Sequence, residues 1–88
     1  MENFTSWADA IHTAPTPQDK AWVHLQRALG RGSKQLIAAD IDQALRELGR
    51  SYSSGGYLLD SGLPWTQQGL HAAARKLLDE IAITKEEV

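Results

Sequence analysis

Length and composition restrict this chain before any motif is considered. It has 88 residues and no cysteine, so it has room for one domain and cannot form disulfides or thiolate metal sites. A domain of this size buries only about 60–65% of the surface that its unfolded chain exposes, so its stability is modest. The lack of cysteine favours a reducing compartment, most simply the cytoplasm.

The formal net charge is −2, but the charge is unevenly distributed. Residues 20–50 contain six basic and three acidic residues, whereas the segments on both sides are net acidic. An acidic protein is a poor binder of nucleic acid, because phosphate contacts need a cationic face. The basic middle of the chain keeps nucleic acid as an unlikely alternative partner. No apolar run resembles a secretory signal or approaches the roughly 20 residues of a membrane span, so neither is expected.

The first predicted helix covers residues 6–14. Ser6 can accept a backbone hydrogen bond as the N-cap, and Asp9 follows three residues later in a capping-box pattern. The prolines at positions 15 and 17 end the helix, because the residue before a proline is pushed out of the helical conformation.

The second predicted helix covers residues 17–29 and has the clearer start. Thr16 is placed as the N-cap, Pro17 occupies the first helical position, and Asp19 lies at the third. The Gly-Arg-Gly segment at 30–32 ends this helix, because glycine tolerates the backbone conformations found at helix termini.

The third predicted helix covers residues 34–48, with Gly49 as its C-terminal signal. Two starts are open. Ser33 could cap a helix that begins at Lys34, or Asp40 could cap a shorter one. The longer version is favoured because it adds the side chain of Ile37 to the buried stripe.

The fourth predicted helix covers residues 66–83, with Thr66 as its N-cap and residues 84–88 as a frayed tail. Its apolar stripe could pair with a second copy in a homodimer, although such stripes more often belong to a core. The stripe consists of Leu70, Ala74, Leu77 and Ile81.

No segment alternates apolar and polar residues in the way that a strand requires. The sequence therefore predicts an all-α fold: a single helical domain over residues 1–88, built as a small compact bundle of three to four helices. A long connection rich in glycine, serine and aromatic residues precedes the last helix.

That connection, residues 51–65, is the main candidate for a binding surface. It contains three of the six aromatic residues, four of the six serines and three of the seven glycines. Tyrosine with serine and glycine is typical of binding loops, because rigid rings give contact area while small residues let the backbone adapt. The alternative is a cap over the end of the bundle, with residues 56–60 forming a short extra helical turn. The predicted partner-binding residues are Tyr52, Tyr57, Leu58, Leu59 and Trp65.

No residue pattern indicates catalysis, a metal or a cofactor. The three histidines, at positions 12, 24 and 71, are not spaced to bind one metal ion from a single helix turn. Ser61 lacks the glycine two residues earlier and the strand that a nucleophile elbow needs. The sequence therefore predicts a protein that is not an enzyme and that needs neither a cofactor nor a metal.

Two functions are compatible with these features. The first is a small non-enzymatic protein that binds another protein, as an inhibitor, an accessory subunit or a regulator. The second is a DNA-binding regulator in which residues 20–48 form a helix-turn-helix, with Arg31 and Lys34 near the start of the recognition helix. Carboxylates on the polar side of that helix argue against the second function; these are Asp40, Asp42 and Glu47.

Overall fold

The computed structural model describes residues 7–86 of the chain and the side chains of residues 9–83. Within that range it has five helices and no strand, and its radius of gyration is 12.7 Å. A compact chain of this length is expected to have a radius of about 12 Å. The all-α prediction is therefore confirmed. The helices are α1 (Trp7–Thr13), α2 (Pro17–Leu29), α3 (Lys34–Glu47), α4 (Ser54–Ser61) and α5 (Gln67–Glu86).

Three helices, α2, α3 and α5, each contact the other two, and the core lies between them. Helix α1 packs only against α2 among the described elements, whereas α4 packs against α3 and α5. Leucine and isoleucine supply the largest fully buried side chains, because the apolar stripes of the three helices face one another. These side chains are Leu25, Ile37, Ile41, Leu45, Leu70 and Leu77.

The predicted start of α2 has the expected geometry. The backbone N–H of Asp19 donates to Thr16 Oγ1 at 3.1 Å, and Pro17 occupies the first helical turn. Helix α5 begins in the same way, since the N–H of Gly69 donates to Thr66 Oγ1 at 3.0 Å. The cap predicted at Ser6 lies outside the described residues.

Helix α3 begins at Lys34, as in the longer of the two predicted versions, and Leu48 is its C-cap. Gly49 follows in the left-handed conformation, with φ 77°. The N–H of Arg50 donates to Leu45 O at 2.8 Å and the N–H of Gly49 donates to Arg46 O at 3.0 Å. This pair of bonds is a Schellman motif, which satisfies carbonyl groups at the helix end.

The prediction of three to four helices with a long connection needs correction, because residues 54–61 of that connection form α4. Ser53 caps the helix by accepting the N–H of Gly56, and Gly62 ends it with φ 71°. Burial of Tyr57 and Leu58 outweighs the poor helix propensity of the two glycines in its first turn. The C-terminus also differs from the predicted tail, since α5 continues to Glu86; residues 87 and 88 lie outside the described range.

Candidate functional site

The predicted binding segment divides into a buried half and an exposed half. Tyr57 is 3% exposed and Leu58 is 2% exposed, so both belong to the core. Leu59 is 82% exposed and Trp65 is 49% exposed. Tyr52 lies between these extremes, half-buried against the edge of the core. Helix α4 thus covers the bundle with the face that carries Tyr57 and Leu58 and leaves Leu59 exposed on the other.

Helix α4 is fixed to its neighbours by polar contacts at its start and middle. The N–H of Ser54 donates to Asp42 Oδ1 on α3 at 2.6 Å. The hydroxyl of Tyr57 donates to Glu80 Oε2 on α5 at 2.9 Å. Both contacts add directional bonds to the packing of Leu58, so the exposed face of α4 has a defined position.

A network of aromatic and charged side chains surrounds Tyr57. Arg50 donates from Nη2 to Glu80 Oε1 at 2.8 Å and from Nη1 to the hydroxyl of Tyr52 at 2.6 Å. The two tyrosine rings meet edge to face, with centroids 6.0 Å apart. Lys76 Nζ lies 5.4 Å from the centroid of the Tyr57 ring, a cation–π distance.

Two groups of this network have shifted pKa values. Burial is the main cause that raises the pKa of Tyr57 well above its ordinary 10.0, and the hydrogen bond to Glu80 adds to it. The pKa of Arg50 is raised, chiefly by its hydrogen bond to Glu80. Tyr57 therefore stays protonated, and Arg50 stays charged, as expected of groups that hold a structure together.

Lys76 and Ser61 form a contact that resembles a nucleophile with its base. Lys76 Nζ donates to Ser61 Oγ at 3.3 Å. An amine acts as a general base when it is desolvated, whereas Lys76 is exposed and its ammonium group faces the Tyr57 ring. The contact thus links α4 to α5. Among the described residues, no group of three histidine, aspartate or glutamate side chains is placed to hold a metal ion.

The alternative nucleic-acid residues, Arg31 and Lys34, are placed differently from one another. Lys34 is exposed at the start of α3. The Arg31 side chain is only 28% exposed, and its Nε lies 2.9 Å from Asp40 Oδ2. The N–H is not aligned for a hydrogen bond, so this contact is an ion pair. Arg31 therefore faces the protein's own carboxylate, which leaves Lys34 as the exposed member of the pair.

Asp40 itself was expected on the polar side of α3, and that expectation is wrong, since the residue is 2% exposed. Arg27 donates to Asp40 Oδ1 from Nη2 at 2.6 Å and from Nε at 3.0 Å. His24 Nδ1 lies 3.8 Å from the same oxygen. Burial by itself would raise the pKa of Asp40, but contacts with His24 and Arg27 and the charges of Arg27 and Arg31 outweigh it, so the pKa is lowered.

The stripe on α5 that could have paired two copies lies inside the protein. Leu70, Ala74 and Leu77 are fully buried and Ile81 is 2% exposed, so none is available to a second chain in this conformation. No described helix has both the length and the apolar composition needed to cross a bilayer. Comparisons with family models, curated proteins and solved structures give no match to this chain.

Proposed function

We propose that this chain is a small non-enzymatic protein that acts by binding another protein, as an inhibitor, accessory subunit or regulator. The observation that carries the proposal is the exposure of Leu59, 82% on a helix whose other leucine is 2% exposed. Such a side chain adds nothing to the core, so it is free to be an anchor for a partner.

Trp65 supports the same surface. Its side chain is 49% exposed in the turn that connects α4 to α5. Tryptophan is enriched among the residues that dominate binding energies at protein interfaces. Leu59 and Trp65 are two of the four exposed large apolar side chains among the described residues, and both belong to the segment that sequence composition singled out.

The rigidity of α4 favours binding. A surface that is already ordered loses less conformational entropy when a partner docks. Tyr57 and Leu58 supply that order from the core side, whereas Leu59 lies on the outer side of the same helical turn. In this proposal Tyr57 and Leu58 position the surface, and Leu59, Trp65 and the half-buried Tyr52 contact the partner. The cysteine-free composition makes the cytoplasm the proposed location.

The experiment compares two variants in which an exposed apolar side chain is replaced by aspartate. Purified wild type, Leu59→Asp and Ile83→Asp are used to capture proteins from a lysate of the source cells, with quantitative mass spectrometry. Ile83 is 56% exposed near the end of α5, so its substitution controls for a general loss of apolar surface. We expect a partner that wild type and Ile83→Asp retain and that Leu59→Asp loses by at least about tenfold.

Circular dichroism checks that all three proteins keep the same helix content. Capture of the same proteins in equal amounts by wild type and Leu59→Asp would contradict the proposed surface. Loss of capture by both variants would show that exposed apolar area in general, and not α4, carries the binding.

A further inference from the structure

We infer that a groove between the end of α3 and the start of α4 binds a phosphate group. The groove has a volume of about 240 Å³, and it is called the basic groove below. It is formed by Asp42, Arg46, Arg50, Ser51, Tyr52 and Ser53. The groove shares Tyr52 with the proposed protein-binding surface but does not include Leu59 or Trp65, so it goes beyond that surface, and phosphate binding can be tested without the partner.

Two guanidinium groups give the basic groove its charge. Arg46 is exposed in the last turn of α3, and no described side chain forms an ion pair or hydrogen bond with it. Arg50 uses Nη1 for Tyr52 and Nη2 for Glu80. A guanidinium carries five N–H donors, so Arg50 keeps donors beyond these two bonds. Its position is fixed by them, which lowers the cost of binding a ligand.

The remaining groups of the basic groove are mostly hydroxyls that can donate. The Tyr52 hydroxyl accepts from Arg50 at 2.6 Å, so its own hydrogen is free. Ser53 Oγ accepts the N–H of Gly56 at 3.5 Å and likewise keeps its hydrogen. The hydroxyl of the exposed Ser51 adds a third donor.

Among the described residues that line the basic groove, Asp42 is the one carboxylate, and it already has a structural role. Its Oδ1 accepts the N–H of Ser54 at 2.6 Å. The first-turn N–H groups of Ser54 and Gly56 are therefore used within the protein and are not counted here as ligand donors. Arg50 is already paired with Glu80, and Asp42 accepts the N–H of Ser54. Arg46, the spare donors of Arg50 and the three hydroxyls are therefore the groups left for a ligand, and they match one that is anionic and rich in acceptors.

The volume of the basic groove favours a small ligand over a drug-sized one. Sites for drug-sized molecules usually measure about 300–1,000 Å³, so this groove is below that range. A phosphate offers several acceptor oxygens around one centre, and the planar fork of arginine matches two of them at once. The phosphate could be the free inorganic ion or a phosphomonoester on the side chain of a partner, because both present the same oxygens.

Isothermal titration calorimetry at constant ionic strength tests this inference with two probes, sodium phosphate and N-acetyl-phosphoserine methylamide. The proteins are wild type, Arg46→Gln and Arg75→Gln. Arg75 is exposed on α5 and outside the groove, so its substitution removes the same charge elsewhere. We expect saturable binding to wild type and to Arg75→Gln, and at least about tenfold weaker binding to Arg46→Gln.

Tighter binding of the phosphoserine probe would identify a phosphorylated side chain as the ligand, whereas equal or tighter binding of inorganic phosphate would identify the free ion. Lack of saturation with both probes would overturn the inference. Equal weakening by Arg46→Gln and Arg75→Gln would overturn it as well, because net charge and not the groove would then set the affinity.

Discussion

Arg27 on α2 and Asp40 on α3 meet through two hydrogen bonds to one carboxylate oxygen, 2.6 Å from Nη2 and 3.0 Å from Nε. The Asp40 side chain is 3% exposed and that of Arg27 is 21% exposed. Arg31 adds a second cation at 2.9 Å from the other oxygen. The contact between these two core helices therefore contains a desolvated carboxylate that depends on its arginines.

Asp40→Asn should destabilise the fold by about 2 kcal/mol, because the two guanidiniums lose their anion while an amide of the same shape takes its place. The cost is below that of a fully buried pair, since both arginines retain some access to water. In a domain of this size that change lowers Tm by roughly 10 °C. Thermal unfolding followed by circular dichroism measures it. Asp60→Asn, at an exposed position, is the control and should stay within about 0.5 kcal/mol of wild type. An Asp40→Asn protein as stable as wild type would contradict the prediction.

The same carboxylate should make stability depend on acid pH. The pKa of Asp40 is lower in the folded protein than its ordinary 3.8. Its stabilising contribution is therefore complete above that ordinary value and is lost as the pH falls through the folded pKa. Urea unfolding between pH 6 and acid pH should show a steeper loss of stability in wild type than in Asp40→Asn. Parallel curves for the two proteins would show that other carboxylates account for the acid sensitivity.

The sequence contains the spacing of this cluster, although the polar character of aspartate predicts an exposed position for Asp40. Asp40 is three residues after Ile37, so helical spacing places it beside the apolar stripe of α3. His24, Arg27 and Arg31 follow one another at intervals of three and four residues and therefore share one face of α2 and the turn after it. What could not be obtained from periodicity is that these two faces meet, because that depends on how α2 and α3 pack.

Helix starts and stops were the most predictable features, because they depend on neighbouring residues. Thr16 and Thr66 cap the helices that follow them, and Gly49 ends α3 in the left-handed conformation. For α4 the sequence offers only a short extra helical turn over residues 56–60, as part of one of two alternatives. Its local sequence begins Ser-Gly-Gly, which disfavours a helix, and its stability comes from contacts with α3 and α5 that no local pattern reveals.

Tyr57→Phe should cost about 1 kcal/mol, because it removes the hydroxyl that donates to Glu80. Glu80 is partly exposed and keeps its bond to Arg50, so the carboxylate is not left without partners. Urea unfolding at neutral pH measures the change. Tyr52→Phe is the aromatic control, since it removes the other tyrosine hydroxyl and leaves the one that is buried.

Alkaline pH gives a second, independent readout of Tyr57. The pKa of Tyr57 is raised in the folded state above its ordinary 10.0. The contribution of Tyr57 to stability is therefore complete below pH 10.0 and is lost as the pH rises from 10.0 through the folded pKa. Wild type and Tyr52→Phe should therefore lose more stability above that pH than Tyr57→Phe does. Absorbance of tyrosinate near the unfolding transition follows the ionisation directly. An equal loss in all three proteins would mean that Tyr57 ionises without hindrance.

Gly69→Ala should destabilise the protein, although alanine usually favours a helix over glycine by about 0.5–1 kcal/mol. A Cβ at position 69 would overlap the carbonyl oxygen of Pro64 and would lie 3.0 Å from its carbonyl carbon. These are backbone atoms of the turn that leads into α5, so the turn would have to move, at a cost of about 1–3 kcal/mol.

Gly55→Ala is the matched helical control, because the nearest atom to a Cβ there is Ser53 Oγ at 3.8 Å. Gly55→Ala should raise the free energy of unfolding by about 0.5–1 kcal/mol, because alanine restricts the unfolded chain more than glycine does. The two substitutions are therefore expected to change stability in opposite directions. Urea unfolding of both variants beside wild type decides between helix propensity and local crowding. A Gly69→Ala protein as stable as Gly55→Ala would mean that the Pro64 carbonyl can move at little energetic cost. The close approach of the α4–α5 turn to α5 would then not constrain the fold.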